Sequence, residues 1–126
     1  AFGAGRSEVP ERYRGVGQPV LVGGTMGTAS YVLIGTERGM SETFGSAVHG
    51  AGRRKSRKQA LREYRGDSII DELGERGILV KVHSRKGAAE EAPGAYKDVD
   101  RVVSIMEGAG VNSRVARLEP LVCIKG

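Results

Sequence analysis

The sequence predicts an α+β fold, a mixed sheet with helices packed against it. Three observations carry this expectation. Short runs rich in β-branched and aromatic residues recur along the chain, each bounded by glycine, proline or polar residues, which is the pattern of strands. Val99, Val102, Val103 and Met106 fall at i, i+3, i+4 and i+7, the spacing of an amphipathic helix. Strands and helices alternate without the strict βαβ rhythm of a doubly wound sheet.

Residues 1 to 19 are rich in glycine, proline and charge, and read as irregular with one helical turn after Pro10. Val20-Leu21-Val22 reads as a buried strand, Gly23 to Thr28 as a glycine loop, and Tyr31 to Ile34 as the strand that resumes. Gly35 to Phe44 reads as loop. From Arg54 to Arg65 the residues are good helix formers, with Gly66 placed as a C-terminal stop. Asp67 or Ser68 then caps a second short helix carrying Ile69, Ile70 and Leu73. Ile78 to Val82 is the clearest strand, and Ser84 to Gly94 reads as a polar loop. Asp98 and Asp100 suit the N-terminal end of the helix through Met106, and the Gly108/Gly110 pair ends it. Val115 to Leu118 and Leu121 to Ile124 are two terminal strands separated by Pro120.

Glycine supplies 20 of the 126 residues, about twice the usual share, so tight turns and close backbone approaches are numerous. The formal charge of +5 favours a polyanionic partner. It is concentrated in Arg53, Arg54, Lys55, Arg57, Lys58, Arg62 and Arg65, opposed in that stretch by Glu63 alone. The lone Cys123 forms no internal disulfide, which fits a reducing, cytoplasmic compartment. No apolar run approaches a membrane span, and no signal peptide is visible. Beginning at Ala1 without an initiator Met, the chain reads as a processed piece or a fragment.

Ser46 to Arg53, with His49-Gly50-Ala51-Gly52-Arg53 at its heart, is the most informative stretch. A histidine stands ahead of a glycine turn, and the turn runs into the basic segment. Glycines bring backbone N–H groups close to an anion, and neutral imidazole is a good nucleophile toward phosphorus near pH 7. The alternative for His49 is an ordinary loop or core residue; a metal-ligand role finds no second His, Cys or paired carboxylate nearby. Gly23-Gly24-Thr25-Met26-Gly27-Thr28 lacks the Walker pattern and serves equally as a hairpin turn or as a cradle using the hydroxyls of Thr25, Thr28 and Ser30. Arg53 and Arg57, four residues apart, would share one helix face and suit phosphate, against the alternative of a solvated surface. His83 reads as an edge residue and Cys123 as core filler. Lys125 alone reads as a solvated chain end and Tyr96 as packing at a helix start. Glu90 and Glu91, adjacent in sequence, do not make an acid/base dyad.

Together these segments resemble the C-terminal portion of the RtcB-type RNA ligases. The matching stretches are Gly17 to Val20, Gly24 to Tyr31, Gly39-Met40, His49 to Arg53 with Ser56-Arg57, Glu90 to Pro93 with Tyr96-Lys97, and the ending Ile124-Lys125-Gly126. They run end to end, so residues 1–126 are read as the C-terminal portion of a larger catalytic domain. The resemblance implies a GTP- and manganese-dependent ligase that joins 2′,3′-cyclic phosphate or 3′-phosphate RNA ends to 5′-hydroxyl ends, in tRNA splicing and RNA repair. It implies that His49 takes GMP from GTP. Gly23, Gly24, Thr25, Met26, Ser30, Gly50, Ala51 and Gly52 would bind the guanylate, with Tyr96 near the base and Lys125 on the nucleotide. Arg53 and Arg57 would hold phosphate from nucleotide or RNA. Partners on this reading are tRNA halves or other broken RNA ends, archease as an activator, and the N-terminal portion of the same enzyme. That portion carries the family's manganese ligands, a Cys-Asp pair and several histidines, so no metal ligand is assigned here and the chain alone is expected to be inactive. A departure is Gly23-Gly24-Thr25 where many relatives have Pro-Gly-Ser or Pro-Gly-Asp. A different class of function, a non-catalytic basic RNA-binding module, is the alternative.

Overall fold

The computed structural model describes residues 1–125. After a 3₁₀ turn at Glu11–Tyr13, strands β1 (Pro19–Val22) and β2 (Ser30–Gly35) form an antiparallel hairpin across the glycine loop. Strand β4 (Asn112–Leu118) pairs antiparallel with the far edge of β2, with an irregularity in register between Val32 and Leu33. Pro120 interrupts the chain after β4, and β5 (Val122–Lys125) leaves to pair in parallel with β3 (Leu79–Val82). Antiparallel and parallel pairings are thus both present, and the fold is α+β.

Among the described residues five α-helices pack around these strands, and two lie where the sequence pattern reads as loop. Helix α1 (Glu37–Thr43) falls within the stretch Gly35 to Phe44. Its signal is local: the Thr36 hydroxyl accepts from Gly39 N–H, and the helix ends on a left-handed Phe44 with φ 54°. Helix α4 (Arg85–Glu90) occupies the predicted polar loop, capped by Ser84 and buried on Ala88 and Ala89. Both helices are too short to display a helical period, which explains why hydrophobic patterning passes over them.

Helix α2 (Arg57–Glu63) begins three residues later than predicted, because Arg54 and Lys55 N–H donate to Ala95 O and Ser56 caps the helix. Gly66 does not stop it. Gly66 instead opens α3 (Gly66–Glu75), where a Cβ would lie 1.9 Å from Arg85 O; neither Asp67 nor Ser68 is the cap, since Arg65 holds that position. Glycine here allows the start of α3 to touch the start of α4, and Asp67 forms an ion pair with Arg85 across the contact. Helix α5 (Val99–Gly108) agrees with its periodicity: the Asp98 carboxylate accepts from the N–H groups of Asp100 and Arg101, and Gly110 turns at φ +72° beyond its end.

Two apolar clusters hold these layers. One joins Val22, Ala29, Tyr31 and Leu33 to Ala51 and to Val99 and Val103 of α5. Tyr31 reinforces it by donating its hydroxyl to Asp100 at 2.7 Å. The other joins Met26 of the glycine loop to Leu73, Ile78 and Val80, with Cys123 packed against it as core filler. The glycine loop is therefore rooted at both ends, through Val22 and Ala29, in the first cluster and at its middle, through Met26, in the second. Leu79, Val122 and Ile124 stand exposed along β3 and β5. No helix among the described residues is long and apolar enough to cross a membrane.

Leu73 is 1% exposed at the centre of the second cluster, so Leu73→Ala should cost about 3 kcal/mol of stability, measured by urea unfolding. A loss within about 0.5 kcal/mol, ordinary for surface changes, would contradict the assigned packing.

Candidate functional site

The site is assembled from four chain segments that lie apart in sequence. The first is the turn after β1. A Cβ at Gly24 would fall 1.8 Å from Ala29 O, so glycine is required for the loop to close. The hydroxyls there set the turn: Ser30 Oγ accepts from Gly24 N–H at 3.3 Å, and Thr28 Oγ1 accepts from Thr25 N–H at 2.9 Å. Met26 is 1% exposed and committed to the core.

The second segment is His49 to Arg53. Gly23 and Gly50 form a parallel bridge, with Gly23 N–H donating to His49 O at 3.4 Å and Ala51 N–H donating to Gly23 O at 2.9 Å. The two glycine turns are thus stitched together by backbone. Ala51 is buried beneath them, Gly52 adopts φ +75°, and the His49 side chain is exposed above. An exposed ring beside clustered backbone amides is geometrically free to meet a ligand.

The third segment, Glu90 to Lys97, lies alongside. Arg53 and Tyr96 form an antiparallel bridge, and Lys97 N–H donates to Gly52 O at 2.8 Å. Arg53 makes four hydrogen bonds here. Its Nε donates to Lys55 O at 3.1 Å, and Nη2 to Glu90 O at 2.7 Å. Its Nη1 donates to Glu91 Oε1 at 3.3 Å and to the Tyr96 hydroxyl at 3.0 Å, while the guanidinium sits 4.8 Å over the Tyr96 ring. Arg53 precedes α2 and does not share a helix face with Arg57; the two converge on Glu91 instead, Arg57 Nε lying 3.5 Å from the same oxygen. Arg57 has its side chain 68% exposed against 22% for Arg53, so Arg57 keeps donors to offer.

Glu91 is the residue that sequence reading passes over. It accepts from the Tyr96 hydroxyl and from Arg53, and forms an ion pair with Arg57. Burial alone would push its carboxyl up, but the Tyr96 hydroxyl and the charges of Arg53, Lys125 and Arg57 together hold it below the usual carboxylate range. Burial, joined by the Glu91 carboxylate, pushes the Tyr96 phenol up. The field of Lys125 on Glu91 brings in the fourth segment, β5, whose Lys125 O accepts from His83 N–H at 3.0 Å. His83 is exposed at the strand end and makes no part of this cluster. The only sequence signal for Glu91 is its place in the Glu90 to Pro93 stretch.

The sequence model described as tRNA-splicing ligase RtcB matches residues 1–126. The chain belongs to the RtcB family. It is 58% identical over its full length to the tRNA-splicing ligase RtcB of Thermococcus kodakarensis, of which it covers 26%, and 58% identical to that of Pyrococcus furiosus, of which it covers 13%. It is 45% identical to an RNA-splicing ligase RtcB homolog 2 of Entamoeba dispar, covering 24% of that protein. The chain therefore spans about a quarter or less of the curated RtcB relatives it matches. No three His, Cys, Asp or Glu side chains gather as a metal site among the described residues, so they do not by themselves fit the manganese implied by the family likeness.

The lowered Glu91 carboxyl contributes stability that is present above its unfolded value of 4.5 and is lost as pH falls through the lower folded value. In Glu91→Gln, therefore, the urea midpoint should decline less between pH 5 and pH 3 than in the parent. Parallel declines would place the Glu91 charge outside the cluster.

Proposed function

We propose that this chain is the guanylate-accepting part of a 3′-phosphate/5′-hydroxyl RNA ligase that works with GTP. The observation that carries the reading is the exposed His49 ring on a glycine turn bridged to the first glycine turn, with the Glu91 cluster beside it. The turn Gly23 to Met26, the Ser30 hydroxyl and the turn Gly50-Ala51-Gly52 would together hold the guanylate. Tyr96 and Lys125 flank it. Arg57, the less engaged arginine, is the phosphate contact, and Arg53 serves by fixing Tyr96 and the turn.

In the proposed chemistry, an imidazole nitrogen of His49 attacks the α-phosphorus of GTP. The N–P bond forms as the bond to pyrophosphate breaks, and pyrophosphate leaves with the negative charge. The RNA 3′-phosphate then takes the GMP, breaking the N–P bond and restoring the imidazole. The 5′-hydroxyl attacks the activated 3′-phosphorus, its proton is lost, and GMP departs. A 2′,3′-cyclic end is first opened by water. Donors aimed at the transferring group lower each barrier by stabilising charge that develops there.

Manganese would supply Lewis-acid charge, and its ligands would come from the additional length seen in the relatives. That length would also cover the exposed Leu79, Val122 and Ile124. The natural ends would come from tRNA halves or broken RNA, and archease would act as an activating partner.

The test uses the longer protein that carries this chain, with α-labelled GTP and manganese but no RNA. The parent should acquire a covalent label. His49→Ala should lose it by at least about a hundredfold, whereas Lys125→Ala should keep the label and raise the GTP requirement about tenfold. Equal labelling of His49→Ala and parent would exclude His49 as the nucleophile. Salt-sensitive RNA binding without any labelling would favour the non-catalytic alternative.

A further inference from the structure

A second basic feature adjoins the turn after His49 and is not part of the nucleotide cluster. Arg54, Lys97, Asp98, Arg101, Val102 and Ile105 line a cavity of about 480 Å³. Lys97 reaches it from the segment whose N–H donates to Gly52 O, and Arg54 is the neighbour of Arg53, so the cavity opens beside the site. Arg101, Val102 and Ile105 come from α5.

Its cations differ from those that are neutralised by carboxylates elsewhere on the molecule. Arg38, Arg53, Lys55, Arg85, Arg114 and Arg117 all sit in ion pairs with carboxylates. The side chains of Lys97 and Arg101 make neither an ion pair nor a hydrogen bond among the described residues, and Arg54 Nε donates only to the neutral Gly94 O at 3.2 Å. The single acid on the rim, Asp98, directs its carboxylate to the first N–H groups of α5, where the helix dipole already opposes its charge. Three cations thus face a cavity with one internally engaged anion. Between them lie the half-buried Val102 and Ile105, which is 60% exposed. Cationic rim and apolar floor together match a nucleic-acid strand, which presents phosphates along its edge and ribose and base faces between them.

We propose that this cavity is a subsite for the RNA strand, in which Lys97 and Arg101 hold a phosphodiester flanking the end to be joined and Ile105 receives the adjoining ribose or base. The proposal rests on the RNA-ligase reading above for its ligand. It makes the cavity a second anchor, beyond the guanylate cradle, that steers the 3′-phosphate toward His49.

The experiment compares the parent longer protein with a Lys97→Gln/Arg101→Gln double variant and a Lys97→Arg variant. One arm measures binding of a single-stranded 3′-phosphate RNA by fluorescence anisotropy from 50 to 200 mM salt, with inorganic phosphate as competitor. The other measures labelling of His49 by GTP without RNA. The double variant should bind RNA about tenfold more weakly, with the slope of log K against log salt reduced by about 0.7, the value for one lost single-strand phosphate contact. Its labelling should stay within about twofold of the parent, Lys97→Arg should bind RNA as the parent does, and phosphate should compete only at concentrations far above the RNA. Unchanged RNA affinity and slope would overturn the proposal. So would a parallel loss of labelling, which would assign these cations to the nucleotide, or competition by phosphate at low concentration, which would make this an inorganic-anion site. Absence of labelling in the parent would refute the catalytic reading and leave the RNA arm to judge the cavity by itself.

Discussion

The arrangement depends on one half-buried guanidinium. Arg53 has its donors directed at two carbonyls, a carboxylate and a phenol, and these partners come from the turn that follows it, from the end of α4 and from the segment beyond. A charge withdrawn from water is tolerable only when its hydrogen bonds are made and an opposite charge is near. Glu91 supplies that charge, and its own burial is compensated in turn by the Tyr96 hydroxyl and by three cations. Removing Glu91 would leave the half-buried Arg53 guanidinium without a carboxylate, which is more damaging than loss of the pair as a whole. The cluster is therefore held by mutual dependence, and it fixes where the turn after His49 can lie.

That constraint divides the labour among residues of one chemical type. Arg53 is bound inward and shapes the site, whereas Arg57, with a single contact at its edge, retains donors for an incoming anion. The same division separates the glycine-turn residues. Met26 anchors its loop in the core, and Ser30 and Thr28 close the turn by accepting from its backbone amides, so the loop is held in one shape from both sides. A flexible loop would lose this entropy on binding a ligand; one rooted at both ends has already lost it.

The sequence makes the fold legible where a period is long enough to be counted. Helix α5 follows from its valine spacing and Asp98 cap, and the strands follow from their β-branched runs. Helices α1 and α4 span too few residues for a period, and their only advance signals are the caps Thr36 and Ser84. Gly66 illustrates a different limit: a glycine after a helix-forming run looks like a stop, but here it answers a close approach to Arg85 that no local pattern encodes. The glycine turn around His49 is visible in sequence because its chemistry is contiguous. The Arg53–Glu91 contact spans 38 positions, so the partner that decides the role of Arg53 is invisible until the chain is folded.

The most direct measurement of the central claim is amide hydrogen exchange, followed by mass spectrometry, in the parent and in Arg53→Ala. If Arg53 ties the segments together, loss of its guanidinium should speed exchange jointly in residues 49–55 and 90–97, while amides paired within β1, β2 and β4 keep their protection. Exchange that rises only beside position 53, with residues 90–97 as protected as before, would contradict the account.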